Sequence, residues 1–281
     1  MQIKEGETTA ADDRRVLADS VTQIATVGRD RIVLCGSHGG RYSAHCALAA
    51  GVAAIVFNDA AVGLDQAGID GLNVLEEHGI PAATVDRKSA VIGSATETAA
   101  GRISFVNPTA RSLGVEPGMS AAEFAEAVEA ASAGATPEPA LSEMQESRQL
   151  ILDGPLRVWA LDSVSLATRE HDATIVVTGS HAQLLGGHPE SALNAAARLA
   201  VFNDAGGVVA PSRLDVLDER ETAAVAVAAA SARIGEASST YHEGVISAAD
   251  STAMADGASV GMRVVDYIAQ VVGRAAEAGV S

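Results

Sequence analysis

The stretch IVLCGSHGGRYSAH at residues 32–45 returns as IVVTGSHAQLLGGH at residues 175–188. Each copy opens on a β-favouring apolar run, passes through Gly-Ser-His and reaches a second histidine seven positions later. An offset of 143 relates His38 to His181, His45 to His188, Gly101 to Gly244 and Gly118 to Gly261. The same offset links Asp19-Ser20-Val21 to Asp162-Ser163-Val164. Asn58-Asp59 pairs with Asn203-Asp204 at 145, and Ser89-Ala90 with Ser231-Ala232 at 142, a drift that small loop insertions explain. Self-similarity on this scale predicts two domain-sized halves, residues 1–143 and 144–281, rather than solenoid units. The expectation is an internally duplicated chain whose halves are related by a pseudo-twofold. They would be joined through ATPEPALSEMQ at 135–145, which has the prolines and polar residues of a connector.

Within the first half, apolar runs at 31–35, 52–57, 81–85 and 101–106 read as strands. Segments 41–50, 66–77 and 120–131 read as helices, the last with Ser120 as its cap. The second half is expected to repeat this order and to end in a helix at 260–276. Continuous apolar strands alternating with helices define an α/β class, each half a mostly parallel sheet flanked by helices on both faces. Right-handed crossovers then bring the strands' carboxyl ends to one edge, where open parallel sheets bind ligands.

The polar residues shared by the halves fall at those strand ends. Gly36, Ser37 and His38 follow the first strand, Asn58 and Asp59 the second, Lys88 and Ser89 the third, and Asn107 the fourth. Ser180, His181, Asn203, Asp204 and Ser231, together with Asp250, hold the matching places in the second half. Gly36, Gly39 and Gly40 would let backbone N–H groups approach a carboxylate or phosphate, or would simply make a tight turn. His38 with Asp59 is the residue pair expected for acid–base work near neutral pH, and Ser89 with a desolvated Lys88 would supply an activated nucleophile. His45 and His188 are placed on the next helix, away from the edge. Gly257, Ser259 and Gly261 fit the spacing of a nucleophile elbow, but STAMAD rather than a strand precedes them and no histidine follows.

Composition narrows the function classes. The 281 residues are 48% hydrophobic but only 3% aromatic, so the core must be built from Ala, Val, Ile and Leu. A formal charge of −17 argues against binding a nucleic-acid backbone, which needs clustered cations. The longest apolar run, CALAAGVAAIVF at 46–57, is far shorter than the roughly 20 residues that span a bilayer. The opening MQIKEGETTAADDRR has no apolar export segment, so a cytoplasmic protein with no membrane partner is expected. Cys35 and Cys46 do not make a disulfide framework.

The leading functional expectation is a small-molecule enzyme, a hydrolase of an amide, cyclic amide or similar polar metabolite. His38 would act as acid–base, Asp59 would orient it or activate water, and Ser37 and the glycine backbone would hold developing charge. Lyase and isomerase chemistry would use the same residues. The alternatives are a non-catalytic binder of a small polar or anionic molecule and a divalent-metal enzyme using His38, His45 and Asp59 with their second-half partners His181, His188 and Asp204; no other cofactor is expected. Ala-rich helices at 222–232 and 264–276 suggest a homo-oligomer.

Overall fold

The computed structural model describes residues 10–12, 14–131 and 144–279, so most of the 135–145 connector lies outside the described residues. The chain divides into two compact units, Met1–Val62 with Gln66–Gln145, and Gly63–Asp65 with Glu146–Ser281.

The first unit has strands β1 (Ala10–Asp12), β2 (Arg15–Ala18), β3 (Ile32–His38), β4 (Ala54–Asn58), β5 (Ala82–Val85) and β6 (Ile103–Val106). Its helices are α1 (Arg41–Ala50), α2 (Gly71–Glu77), α3 (Ala95–Ala100), α4 (Pro108–Ser112) and α5 (Ala121–Ala131). The sheet order follows the chain, β1 to β6. Strands β2 to β5 run parallel, and the edge strands β1 and β6 run antiparallel to their neighbours. Because successive parallel strands are added in one direction, right-handed crossovers put α1 and α2 on the same face. There Ala44, Ala47, Leu48, Leu72, Val74 and Leu75 pack with Val33, Cys35, Ile55 and Phe57. The alternate strand residues Ile32, Leu34, Val56, Ala83 and Val85 point to the other face. That face is covered by α5 through Phe124, Ala125 and Val128. Burial on both faces is why these strands read as unbroken apolar runs. Burying Phe124 fully contributes roughly 1.5–3 kcal/mol.

The second unit has β7 (Arg148–Leu152), β8 (Val158–Leu161), β9 (Ile175–His181), β10 (Leu199–Asn203), β11 (Ala223–Val227) and β12 (Ile246–Ala249). Its helices are α6 (Arg213–Glu219), α7 (Ala237–Glu243), α8 (Ser251–Ala255) and α9 (Val264–Gly279). Its strand order and the directions of its pairings match those of the first sheet. Among the described residues no helix is long and apolar enough to cross a membrane.

Several expectations are corrected. The Gly-Ser-His triplets are not turns: β3 and β9 continue through His38 and His181. Strands β6 and β12 are antiparallel, which sends Asn107 and Asp250 to the edge opposite the one expected. The helix read at 66–77 starts only at Gly71, because Asp65 and Gln66 have left-handed backbones (φ 52° and 63°).

Helix α1 has no counterpart in the second unit. Gly186 and Gly187 at positive φ and Pro189 break the segment, leaving a 3-10 turn at Pro189–Ser191 with an exposed His188 before it. Arg213 stands where the first unit has Gly71. Its buried guanidinium donates to the carbonyls of His181 (3.1 Å), Ala192 (2.7 Å) and Ser191, acceptors that a helix would have used itself. The Ala-rich run at 222–232 contains strand β11, its alanines buried between helices on both faces, so tertiary packing overrides helix propensity. The apolar stripe of α9 packs Val264, Tyr267, Ile268 and Val271 onto its own sheet. The buried residues of both segments thus pack within their own unit, while Ala269, Gln270, Gly273 and Arg274 on α9 are exposed.

Gly36 and Gly179 explain why the triplets begin with glycine. A Cβ on Gly36 would lie 2.7 Å from Asp19 O and Ser94 N, and one on Gly179 would lie 2.5 Å from Glu236 N. Both contacts are with backbone, which has little room to give. Gly36→Ala and Gly179→Ala are each expected to destabilise the chain by about 1–3 kcal/mol in denaturant unfolding.

Candidate functional site

Parallel strands end with backbone groups that the ladder does not satisfy, and buried groups of this kind need partners. At the carboxyl edge of each sheet the shared polar residues supply them. Ser37 Oγ accepts from Val21 N at 2.9 Å, and Ser180 Oγ accepts from Val164 N at 2.9 Å. Asn58 is fully buried; its Oδ1 takes Ala60 N (2.9 Å) and its Nδ2 donates to Ala90 O (2.9 Å). Asn203 repeats this with Ala205 N (2.9 Å) and Ala232 O (3.0 Å).

The aspartates are committed in the same way. Asp59 Oδ1 accepts from Ala61 N (2.9 Å) and Arg87 N (3.0 Å), and the Ser104 hydroxyl also bonds the carboxylate. Asp204 Oδ1 accepts from Gly206 N and Ala229 N, both at 2.8 Å, and its Oδ2 from Ser247 Oγ at 2.7 Å. Burial pushes the Asp59 carboxyl above the usual carboxylate range, an effect opposed by its amide bonds. Asp59 thus pins the ends of β4 and β5 to β6. No hydrogen bond joins it to His38 among those found in the described residues.

Ser89 Oγ donates to Asp86 O (2.8 Å) and accepts from Arg102 N (2.9 Å). Ser231 does the same with Ala228 O (2.8 Å) and Val245 N (2.9 Å). Lys88 is exposed, so its amine is not desolvated as an activating role beside Ser89 requires. Asn107 caps α4 at the opposite edge, with Oδ1 on Ala82 N and Ala110 N and Nδ2 on Ile80 O. Gly39 and Gly40 are packing glycines. A Cβ on Gly40 would lie 2.6 Å from Ala67 O, and one on Gly39 would lie 2.8 Å from Thr84 Cγ2. Cys35 is buried with its thiol pushed up to about 12, chiefly by burial, so it is an inert core residue. His45 sits on α1, and among the described residues no group of three or more His, Cys, Asp and Glu side chains is placed to hold a metal ion. The expected set of His38, His45 and Asp59 is therefore not assembled.

His38 stands apart. Its Nδ1 accepts from Gly40 N at 3.1 Å, so the neutral ring carries its proton on Nε2. Burial depresses its pKa from 6.5 to about 4. As a residue His38 is half-buried, and no protein acceptor for Nε2–H is found among the described residues. At neutral pH His38 is therefore an uncharged hydrogen-bond donor. It is not the poised base expected from its residue type. His181, beside Asn203, is buried and its carbonyl receives Arg213.

The same edge holds backbone strain that the sequence did not signal. Ala60, Ala61 and Val62 follow one another at φ 47°, 58° and 67°. Left-handed conformation costs roughly 1–2 kcal/mol for each L-residue and is most unfavourable at a β-branched one. The second unit puts Gly206 and Gly207 at the corresponding places after Ala205, where that cost is absent. Asp19 and Asp162 were also missed as edge residues. They accept from Ala95 N (2.8 Å) and Ala237 N (3.0 Å), fastening α3 and α7, and their place in the repeat was the available signal.

Comparison with protein-family models, curated proteins and solved structures finds no match to this chain. If Asn58 and Asn203 serve the fold, Asn58→Ala and Asn203→Ala each leave a buried N–H and carbonyl unpaired. Each is expected to lose about 1–3 kcal/mol of stability in denaturant unfolding.

Proposed function

We propose that this chain binds a small polar molecule at the carboxyl edge of its first sheet, with His38 Nε2–H donating to a carbonyl or carboxylate oxygen of the ligand. The observation that carries this reading is the His38 Nε2–H, for which no protein acceptor is found among the described residues, at an edge where Ser37, Asn58, Asp59 and Ser89 all bond backbone. Three successive left-handed non-glycine residues beside it support the reading, since strain of this kind persists where surrounding structure over-determines it and clusters at ligand sites. A hydrolase would need a base or an activated nucleophile here. Asp59, Ser37 and Ser89 are already bonded, and Lys88 is solvated, so binding is the function this geometry supports best.

We also infer that the two units descend from one duplicated ancestor. The shared 143-residue offset, the matched strand pairing and the repeated Asn-Asp bonding support this. The first unit has kept the ligand edge, and in the second Arg213 occupies the space next to His181.

A thermal-shift screen with small carboxylates, amides and phosphate tests the function. One class is expected to raise the Tm of the wild type, and His38→Ala is expected to weaken that ligand roughly tenfold, the loss of one hydrogen bond. Because the ring titrates at about 4, affinity should be flat from pH 6 to pH 8. Binding that ignores His38→Ala, or that titrates near 6.5, would refute the assignment.

A further inference from the structure

Asp250 and Asn107 occupy the same place in the two units. Each follows the antiparallel edge strand and caps a five-residue helix. Asn107 N donates to Ala82 O and Asp250 N to Ala224 O, both at 3.0 Å. Asn107 Oδ1 accepts from Ala82 N (3.0 Å) and Ala110 N (2.9 Å). The Asp250 carboxylate likewise takes Ala253 N (2.6 Å) and the Ala224 amide. Asn107 completes its bonding by donating Nδ2–H to Ile80 O at 2.8 Å. Thr222 is the counterpart of Ile80: its N–H bonds Leu217 O at 2.9 Å, as that of Ile80 bonds Leu75 O at 3.0 Å. Asp250 therefore has an oxygen where Asn107 has an amide nitrogen. That oxygen, Oδ2, is buried and has no partner among the described residues. If ionised, it would set an acceptor in the place from which Asn107 donates to a carbonyl.

We propose that Asp250 is folded as the neutral carboxylic acid, its Oδ2–H donating to Thr222 O, so that the second unit carries a proton-dependent latch between α8 and β11. The proton is exchanged with solvent. Strands β11 and β12 bring no titratable side chain to it. From α6, Asp218 adds like-charge repulsion; it is itself held by Ser251 Oγ (2.6 Å) and Thr252 Oγ1 (2.7 Å). From α9, Tyr267 donates its hydroxyl to Ala253 O (3.4 Å), and the Asp250 charge opposes its ionisation. Asp256, beyond α8, is matched by Arg198 (2.8 Å) and Arg274 (3.0 Å). Burial, opposed by the amide bonds and reinforced by Asp218, raises the carboxyl from 3.8 to about 6. A group whose folded pKa is raised stabilises fully below its unfolded value, and that contribution is lost as pH rises through about 6.

The test is denaturant unfolding of the full chain at pH 5 and pH 8, followed by far-ultraviolet circular dichroism, which reports on both units, and by the fluorescence of its one tryptophan, Trp159, which lies on β8 of this unit. The ratio of the wild-type to the Asp250→Asn folding equilibrium, in which the contributions of His38 and of every other titrating group cancel, is expected to be roughly tenfold lower at pH 8 than at pH 5. The mirror variant Asn107→Asp is expected to create the same alkaline loss in the first unit, and it keeps the test decisive should Asp250→Asn fail to fold. The proposal is overturned if Asp250→Asn retains the wild-type pH dependence, or if Asn107→Asp is weakened equally at both pH values.

Discussion

The constraint on which this architecture depends is the satisfaction of backbone groups where parallel strands stop. Strand β4 ends in the Asn58-Asp59 pair, and those two side chains alone accept three backbone N–H groups and donate to one carbonyl. Asn203-Asp204 closes β10 with the same set of bonds. Fully bonded buried networks rigidify the segments they join, whereas a half-satisfied one is costly. Here they tie the strand ends to the loops that would otherwise fray, and so fix the edge from which His38 projects.

The two units solve the remaining problem differently. In the first, Gly39, Gly40 and Gly71 let α1 and α2 pack with backbone nearly in contact, and a Cβ on Gly71 would lie 2.4 Å from Gly40 O. In the second, the segment after β9 is not helical, and Arg213 fills the space and takes the free carbonyls. The Arg213 guanidinium lies 5.7 Å from the Phe202 ring centroid, and burial lowers its pKa to about 9. Strain follows the same division, with Ala61 and Val62 left-handed in the first unit where glycines serve in the second. These differences direct the ligand reading to the first unit.

Much of the fold was legible in the sequence because it rests on apolar periodicity. The strands at β3, β4 and β5 and the helices α1 and α5 fall close to where pattern placed them. The direction of β6 was not legible, since neither its composition nor its length distinguishes an antiparallel edge from a fourth parallel strand. Nor was the loss of α1's counterpart, although the Gly-Gly-His-Pro run at 186–189 carried the signal. At the edge, repetition singled out Ser37, Asn58, Asp59 and Ser89, all of which bond backbone in the structure, but repetition does not distinguish a residue kept for bonding backbone from one kept for chemistry. The protonation state of His38 depends on the amide of Gly40, two residues away, and on burial. The first is a local bond, and the second is a tertiary fact that no residue pattern encodes.

The central claim is that His38 is a neutral donor with its proton on Nε2, at an edge where Ser37, Asn58, Asp59 and Ser89 bond backbone. Nitrogen-15 NMR of the histidine imidazoles across a pH titration examines this directly. The account predicts an Nε2–H tautomer for His38 that persists from pH 8 down to about pH 5 and protonates only near 4. A ring that carries its proton on Nδ1, or that titrates close to 6.5, would contradict it.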